Sequence, residues 1–256
     1  MNSTPDETDS TEITTHRQDG VVTVMLNRPE ALNAITPTML GALGDNLEEL
    51  ANDETARVVI LTGAGRAFSA GVDLKALGDR ELTNGKVGDI LDLPARRVTE
   101  LLSTMPAVTV AKVNGFCFTG ALELALACDL VIAANEAKFG DTHAKFGLRP
   151  TWGMSQRLPR LIGIAAAREL SFTARTFTGA EARAMGLAAR SVPLAELDVA
   201  TRDLVDSITA NSTDSLRAYK DLYRQTMELP LSEALAYEAD TDYQVGDTAS
   251  RLAGFR

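Results

Sequence analysis

Three stretches of the chain are almost unbroken runs of apolar residues closed by turn-forming ones: "ARVVILTGAG" (56–65), "AVTVAKVNG" (107–115) and "CDLVIAANE" (128–136). A fourth, "VVTVMLNRP" (21–29), is β-branched and stops at Pro29. A strand with one wet face alternates apolar and polar side chains, whereas a run that is apolar throughout belongs to a strand covered on both faces. Such runs call for helices packed on a sheet, and helical patterns lie between them. "TPTMLGALGDNLEELAND" (36–53) opens on a Thr-Pro start signal and carries apolar residues at 39, 40, 43, 47 and 50. "ARRVTELLSTM" (95–105) and "TGALELALA" (119–127) follow the same logic. Residues 78–94, with glycines, Asn84 and mixed charge, read as a surface loop holding at most one short helix. After about residue 195 strand signals cease, and "LAELDVATRDLVDSITA", "TDSLRAYKDLYRQTM" and "SEALAYEADTDYQV" read as amphipathic helices. The expected organisation is a disordered tail over residues 1–12, an α/β core over 13–195 and a helical C-terminal region over 196–256.

Charge and composition narrow the partners. The 256 residues carry a formal net charge of −10, which argues against a nucleic-acid or anionic-membrane binder while leaving room for a local basic patch facing a phosphorylated ligand. No stretch reaches the ~18 apolar residues that a membrane span needs, and the start "MNSTPDETDSTE" lacks the apolar segment of a secretory signal. The expected location is cytoplasmic. Cys117 and Cys128 sit in apolar surroundings and read as free thiols. Two histidines are too few for a His-rich metal site, so no metal is expected.

One residue does not fit its surroundings. Glu123 stands among aliphatics in "VAKVNGFCFTGALEL" (110–124), and a glutamate is almost never fully buried without a partner. It is either a first-turn acid near solvent or a group that does chemistry. If a helix begins near Gly120, its first N–H groups lack intrahelical partners and lie at the positive end of the helix dipole. A second such junction occurs in "LTGAGRAFSAGVDLKAL" (61–77), where a glycine precedes Val72. Gly63 and Gly65 fit two positions of a dinucleotide fingerprint, but Phe68 occupies the third, so that reading fails. Two junctions each offering one N–H can instead grip one thioester oxygen as it gains charge. Asp73 reads as a first-turn acid of a helix, Asp141 as a loop residue, and Trp152 and Phe146 as walls of an acyl pocket or core.

The segments "NRPEALNAI" (27–35), "GAGRAFSAGVDLKAL" (63–77), "VNGFCFTGALELALACDLVIAANEAKFG" (113–140) and "RLPRLIG…FTARTFTGAEARAMGLAARSV" (157–192) occur in this order. Together they resemble the crotonase, or enoyl-CoA hydratase/isomerase, superfamily, from about residue 13 to the end. The resemblance implies a crotonase-like spiral of ββα units with a C-terminal helical region used in forming a homotrimer, often paired into a hexamer. It implies an acyl-CoA substrate, with coenzyme A part of that substrate and no separate cofactor. Carried over by position, the backbone N–H groups of Val72 and Gly120 form the oxyanion hole, and Glu123 is the first catalytic glutamate. Arg28, Ala31, Ala70, Asp73, Leu74 and Lys75 lie where CoA is held, and Thr151 and Trp152 line the substrate side. The sequence departs from the hydratase pattern at two places. Counting without gaps from Glu123, the second catalytic glutamate is replaced by His143, and a glycine that supports the attacking water is replaced by Thr151. Histidine takes both charge states near neutrality and so can supply a proton. The expected activity is hydration of 2-enoyl-CoA thioesters by Glu123 and His143. The alternatives are an enoyl-CoA isomerase, an acyl-CoA hydrolase, or a weakly catalytic acyl-CoA-binding protein.

Overall fold

A computed structural model of the chain describes residues 12–76, 78 and 82–254. Apart from Glu12, the expected tail lies outside the described residues. Strands β1 (Ile13–Gln18) and β2 (Val21–Leu26) form a hairpin, followed by helix α1 (Pro37–Ala51). The hairpin turns on Asp19 and Gly20, both at positive φ, as a tight two-residue loop requires. Strands β3 (Val58–Gly63) and β4 (Ala67–Ser69) precede α2 (Asp89–Thr104), and β5 (Val108–Val113) and β6 (Phe116–Phe118) precede α3 (Gly120–Ala127). Then come β7 (Leu130–Ala134), β8 (Lys138–Gly140), α4 (Met154–Ile162), α5 (Ile164–Thr173), β9 (Phe177–Thr178), α6 (Gly179–Ala184) and β10 (Arg190–Val192).

The repeated unit is therefore strand, strand, helix; β1 and β2 share one sheet, whereas in the units that follow, β3-β4, β5-β6 and β7-β8, the two strands enter different sheets. One sheet has the order β1-β2-β3-β5-β7-β10 and the other β4-β6-β8-β9. Apart from β1·β2 in the first sheet and β8·β9 in the second, all pairings are parallel. This is the expected spiral of ββα turns. The apolar runs are strands for the reason given by their composition: every residue of β3 is buried. Helix α1 starts where the Thr-Pro signal places it, with the Thr36 hydroxyl accepting from Met39 N at 3.0 Å, and it buries Met39, Leu40, Leu43, Leu47 and Leu50.

Two local expectations are corrected. Helix α2 begins at Asp89, not 95, and contains Pro94. Pro94 lies in the second turn and has no N–H to offer Ile90 O, so it reads in the sequence as a helix breaker although the helix continues through it. Among the described residues no helix directly follows Val72. Residues 74–76 form a turn, in which Asp73 Oδ1 accepts from Lys75 N at 3.1 Å and Ala76 N at 3.2 Å. The short side chain thus satisfies the backbone locally and no helix is needed.

From Leu197 the chain is helical: α7 (Leu197–Thr209), α8 (Thr213–Thr226), α9 (Leu231–Asp240) and α10 (Thr248–Ala253). Helix α8 is fastened to the core. Lys220 Nζ donates to Ala107 O at 2.9 Å and pairs with Asp129 at 2.8 Å, and Arg57 donates to Thr213 Oγ1 at 2.8 Å. Its other face leaves Tyr219 and Tyr223 exposed, their rings 5.7 Å apart.

Candidate active site

All eight residues of α3 are buried, so this helix has no wet side. Glu123 in its first turn is 1% exposed, which excludes the solvent-facing first-turn acid. Its partners come from the segment before α4: Oε1 accepts from Trp152 N at 3.0 Å and Met154 N at 2.9 Å. For two alternate amides to reach one oxygen the chain must bend between them. Gly153 does this at φ +120°, and a Cβ there would strike Arg157 Nη1. Oε2 is left facing His143 Nε2 at 3.6 Å. Burial pushes the Glu123 carboxyl above the usual carboxylate range, and His143 and the two amides pull back without cancelling it.

His143 is held from behind. Its Nδ1 lies 2.7 Å from Asp141 Oδ1, and Asp141 Oδ2 accepts from Ser171 Oγ at 2.7 Å. Burial acts to raise the Asp141 pKa, but the hydrogen bonds from His143 and Ser171 outweigh it and hold the group below the ordinary aspartate value. A carboxylate can only accept, so the imidazole presents N–H at Nδ1 and turns Nε2 toward Glu123. Asp141 is a loop residue as expected, and from that loop it orients the histidine. Its only sequence signal is the Asp-x-His spacing, and Ser171 had none.

The two predicted amide donors lie at segments that touch. Gly71, at φ +93°, packs so closely that a Cβ would stand 2.8 Å from Phe118 O. Flanking Val72, Gly71 O accepts from Ile35 N and Asp73 N donates to Ile35 O. The Val72 N–H itself has no acceptor among the described residues. Gly120 is the first residue of α3, where an N–H has no intrahelical partner. Thr119 before it holds φ 53°, ψ −111°, a costly conformation for a β-branched residue, and its hydroxyl lies 2.5 Å from that of Thr142.

The predicted CoA-side residues form a second group beyond Val72. Arg28 pairs with Glu12 at 3.1 Å and Asp73 at 3.1 Å, and donates to Ala34 O at 2.7 Å. Its guanidinium therefore shapes the loops around it. Ala31 ends a short 3₁₀ turn, and Ala70 N donates to Leu32 O at 2.9 Å. Leu74 and Lys75 are exposed. Thr151 and Trp152 belong with Glu123, through a residue that sequence reasoning missed. Asp92 of α2 accepts from Thr151 Oγ1 at 2.6 Å and Trp152 Nε1 at 2.9 Å on its Oδ1. Phe146 is exposed rather than part of a wall or core, because it lies in an outward-facing 3₁₀ turn. Cys117 is buried and Cys128 partly so, both as free thiols. A cavity of about 870 Å³ lies elsewhere, between α8 and the C-terminal end of α3.

A family profile described as Enoyl-CoA hydratase/isomerase matches residues 16–256. A probable peroxisomal enoyl-CoA hydratase 1 of Arabidopsis thaliana is 35% identical over 221 residues, covering 86% of this chain and 81% of the relative. A short-chain-enoyl-CoA hydratase of Clostridium acetobutylicum is 33% identical over 225 residues, covering 88% and 85%. Among solved structures, an enoyl-CoA hydratase from Bacillus anthracis superposes with a TM-score of 0.88 at 31% identity, covering 95% of each chain.

Proposed function

Since the chain belongs to the enoyl-CoA hydratase/isomerase family, we propose that it hydrates 2-enoyl-CoA thioesters and that Glu123 and His143 carry the reaction. The observation that bears most weight is the pairing of Glu123 Oε2 and His143 Nε2, 3.6 Å apart in a buried site. Glu123, as a carboxylate, takes a proton from water as its oxygen attacks Cβ. Negative charge moves to the thioester oxygen, where the Val72 and Gly120 N–H groups stabilise it. His143, doubly protonated, gives its Nε2 proton to Cα, while Asp141 keeps the ring oriented through Nδ1. The cycle leaves Glu123 protonated and His143 neutral. A proton passing between Oε2 and Nε2 restores the starting state, and their separation suits relay through one water or the product hydroxyl.

The CoA half is assigned to the group beyond Val72, with Ala31, Ala70, Asp73 and Leu74 forming its bed and Arg28 fixing the loops. Lys75, exposed and without an ion pair among the described residues, supplies positive charge for phosphate. A panel of 2-enoyl-CoA substrates of increasing chain length, followed by loss of the enoyl-thioester absorbance, tests the assignment. At least one should be hydrated, and binding without turnover across the panel would overturn it.

Assembly as a homotrimer, or a hexamer of two trimers, is part of the same proposal. Large apolar side chains stand exposed on α5, α8 and α9, among them Phe172 at 78%, Tyr223 at 66% and Leu231 at 74%. Light scattering at micromolar concentration should report three or six subunits, and a monomer would refute it. No helix among the described residues is long and apolar enough to cross a membrane. A cytoplasmic location is proposed with it, and recovery in a membrane or organelle fraction would count against that.

A further inference from the structure

Asp92 sits in α2, 1% exposed, with two neutral donors on Oδ1 and no hydrogen-bond partner for Oδ2 among the described residues. Burying a carboxylate this way costs stability, and an apolar residue of similar size would usually serve the fold better. Both of its donors lie in the segment whose next amides hold Glu123. Trp152 is gripped at several points. Its Nε1 is held by Asp92, its backbone N reaches Glu123, and its carbonyl accepts from Arg157 Nη1 at 3.0 Å. Its six-membered ring covers Gly120, where a Cβ would stand 2.5 Å from Cζ3. Arg157 fixes the peptide, and among the described residues Asp92 supplies the only hydrogen bond to the ring.

We propose that Asp92 is a positioning residue for hydration: by holding the Trp152 indole and the Thr151 hydroxyl, it sets both the amide clamp on Glu123 and the wall against Gly120. It rests on the hydration reading and extends it to a residue some sixty positions away in sequence. A charge-assisted acceptor is stronger and more directional than a neutral one, which accounts for a carboxylate where an amide could accept the same bonds.

The test is Asp92→Ala in the full chain. Displacement of a supporting group costs about 10²-fold in kcat when the reacting geometry moves by an ångström, so a loss of that order is expected with KM little changed. The acid limb of kcat should move to higher pH, because a looser clamp favours the Glu123 carboxylate less. The other charged groups facing Glu123, namely His143, Asp141 and Arg157, are the same in every variant. Asp92→Asn should restore part of the loss. In a Thr151→Val/Trp152→Phe background, Asp92→Ala should add nothing further. Unchanged kcat, an unmoved acid limb, or full additivity in that background would overturn the proposal. Should Asp92→Ala not fold, the Thr151→Val/Trp152→Phe protein must show the same loss and the same shift, and wild-type behaviour would overturn it. Failure of the hydration reading would appear separately, as absence of turnover in the unsubstituted protein. Trp152 is the only tryptophan in the chain, so its emission still decides the matter then. Its pH titration should follow Glu123 through the shared amide, with a midpoint that rises in Asp92→Ala, and an unmoved midpoint would overturn the proposal.

Discussion

Glu123→Gln should lower hydration turnover by about 10²–10⁴-fold, the usual range for a lost general acid or base. Glutamine can still accept from Trp152 N and Met154 N, so the clamp survives, but the group that replaces Oε2 cannot take a proton. His143→Ala should cost a similar factor. The double variant should lose far less than the product of the two, because the groups act as a unit. The pH profile follows from the raised Glu123 pKa. Activity should fall on the acid side at a pH above the ordinary glutamate value, and the apparent pKa belongs to the pair with His143. The stability effect has the opposite sense. A folded-state value above the unfolded one means that folding favours the protonated group, so its contribution is greatest at low pH and is lost as pH rises through the folded value. Glu123→Gln should therefore melt no lower than the parent at neutral pH. Full turnover in folded Glu123→Gln and His143→Ala proteins would return Glu123 to a structural role.

Val72→Pro should reduce turnover by about 10²–10³-fold, the cost of one oxyanion donor, with substrate affinity less affected. The effect falls on the transition state because charge grows on the thioester oxygen only as the β-carbon is attacked. The Val72 N–H makes no hydrogen bond to the described residues, so its deletion removes nothing from the resting fold. Gly71 at φ +93° precedes it, and the residue before a proline is held to extended backbone, so circular dichroism and thermal melting must accompany the assay. Gly120→Ala probes the other donor, since its Cβ would force the Trp152 ring away. A folded Val72→Pro protein with undiminished turnover would remove this pair of amides from the mechanism.

The long strands were legible because an apolar run such as Val58–Leu61, closed by Thr62 and Gly63, has few other destinations. Strands β4, β6, β8 and β9 have three residues or fewer, too short for any periodicity to register. Strand β1 was passed over although Asp19-Gly20 is a hairpin signal, because "ITTHRQ" reads as polar: only Ile13 of its six residues is buried. Pro94 disguised the first turns of α2, and with them Asp92. Glu123 announced itself as an acid in a helix otherwise apolar. His143 came from its fixed distance to Glu123 in the family pattern. Asp141 had only its spacing of two from His143 to mark it, and Ser171 and Asp92 could not be found that way. Each matters through one oxygen or hydroxyl brought from another part of the chain, and hydrogen-bond geometry across 30 or 60 residues leaves no mark on local sequence.

A planar enoyl group needs about 3.5 Å of clearance on each face. Two groups whose reactive atoms lie 3.6 Å apart cannot flank it from opposite sides. In the proposed mechanism the water activated by Glu123 and the proton from His143 therefore reach the same face, so syn addition is expected, and an anti product would refute the pairing. The amides of Trp152 and Met154 reinforce this by occupying Oε1, which leaves the carboxylate one working oxygen and one direction of delivery. If Glu123 delivers the water as proposed, the two backbone amides that fix its Oε1 help to set the face of attack, and with it the configuration at Cβ.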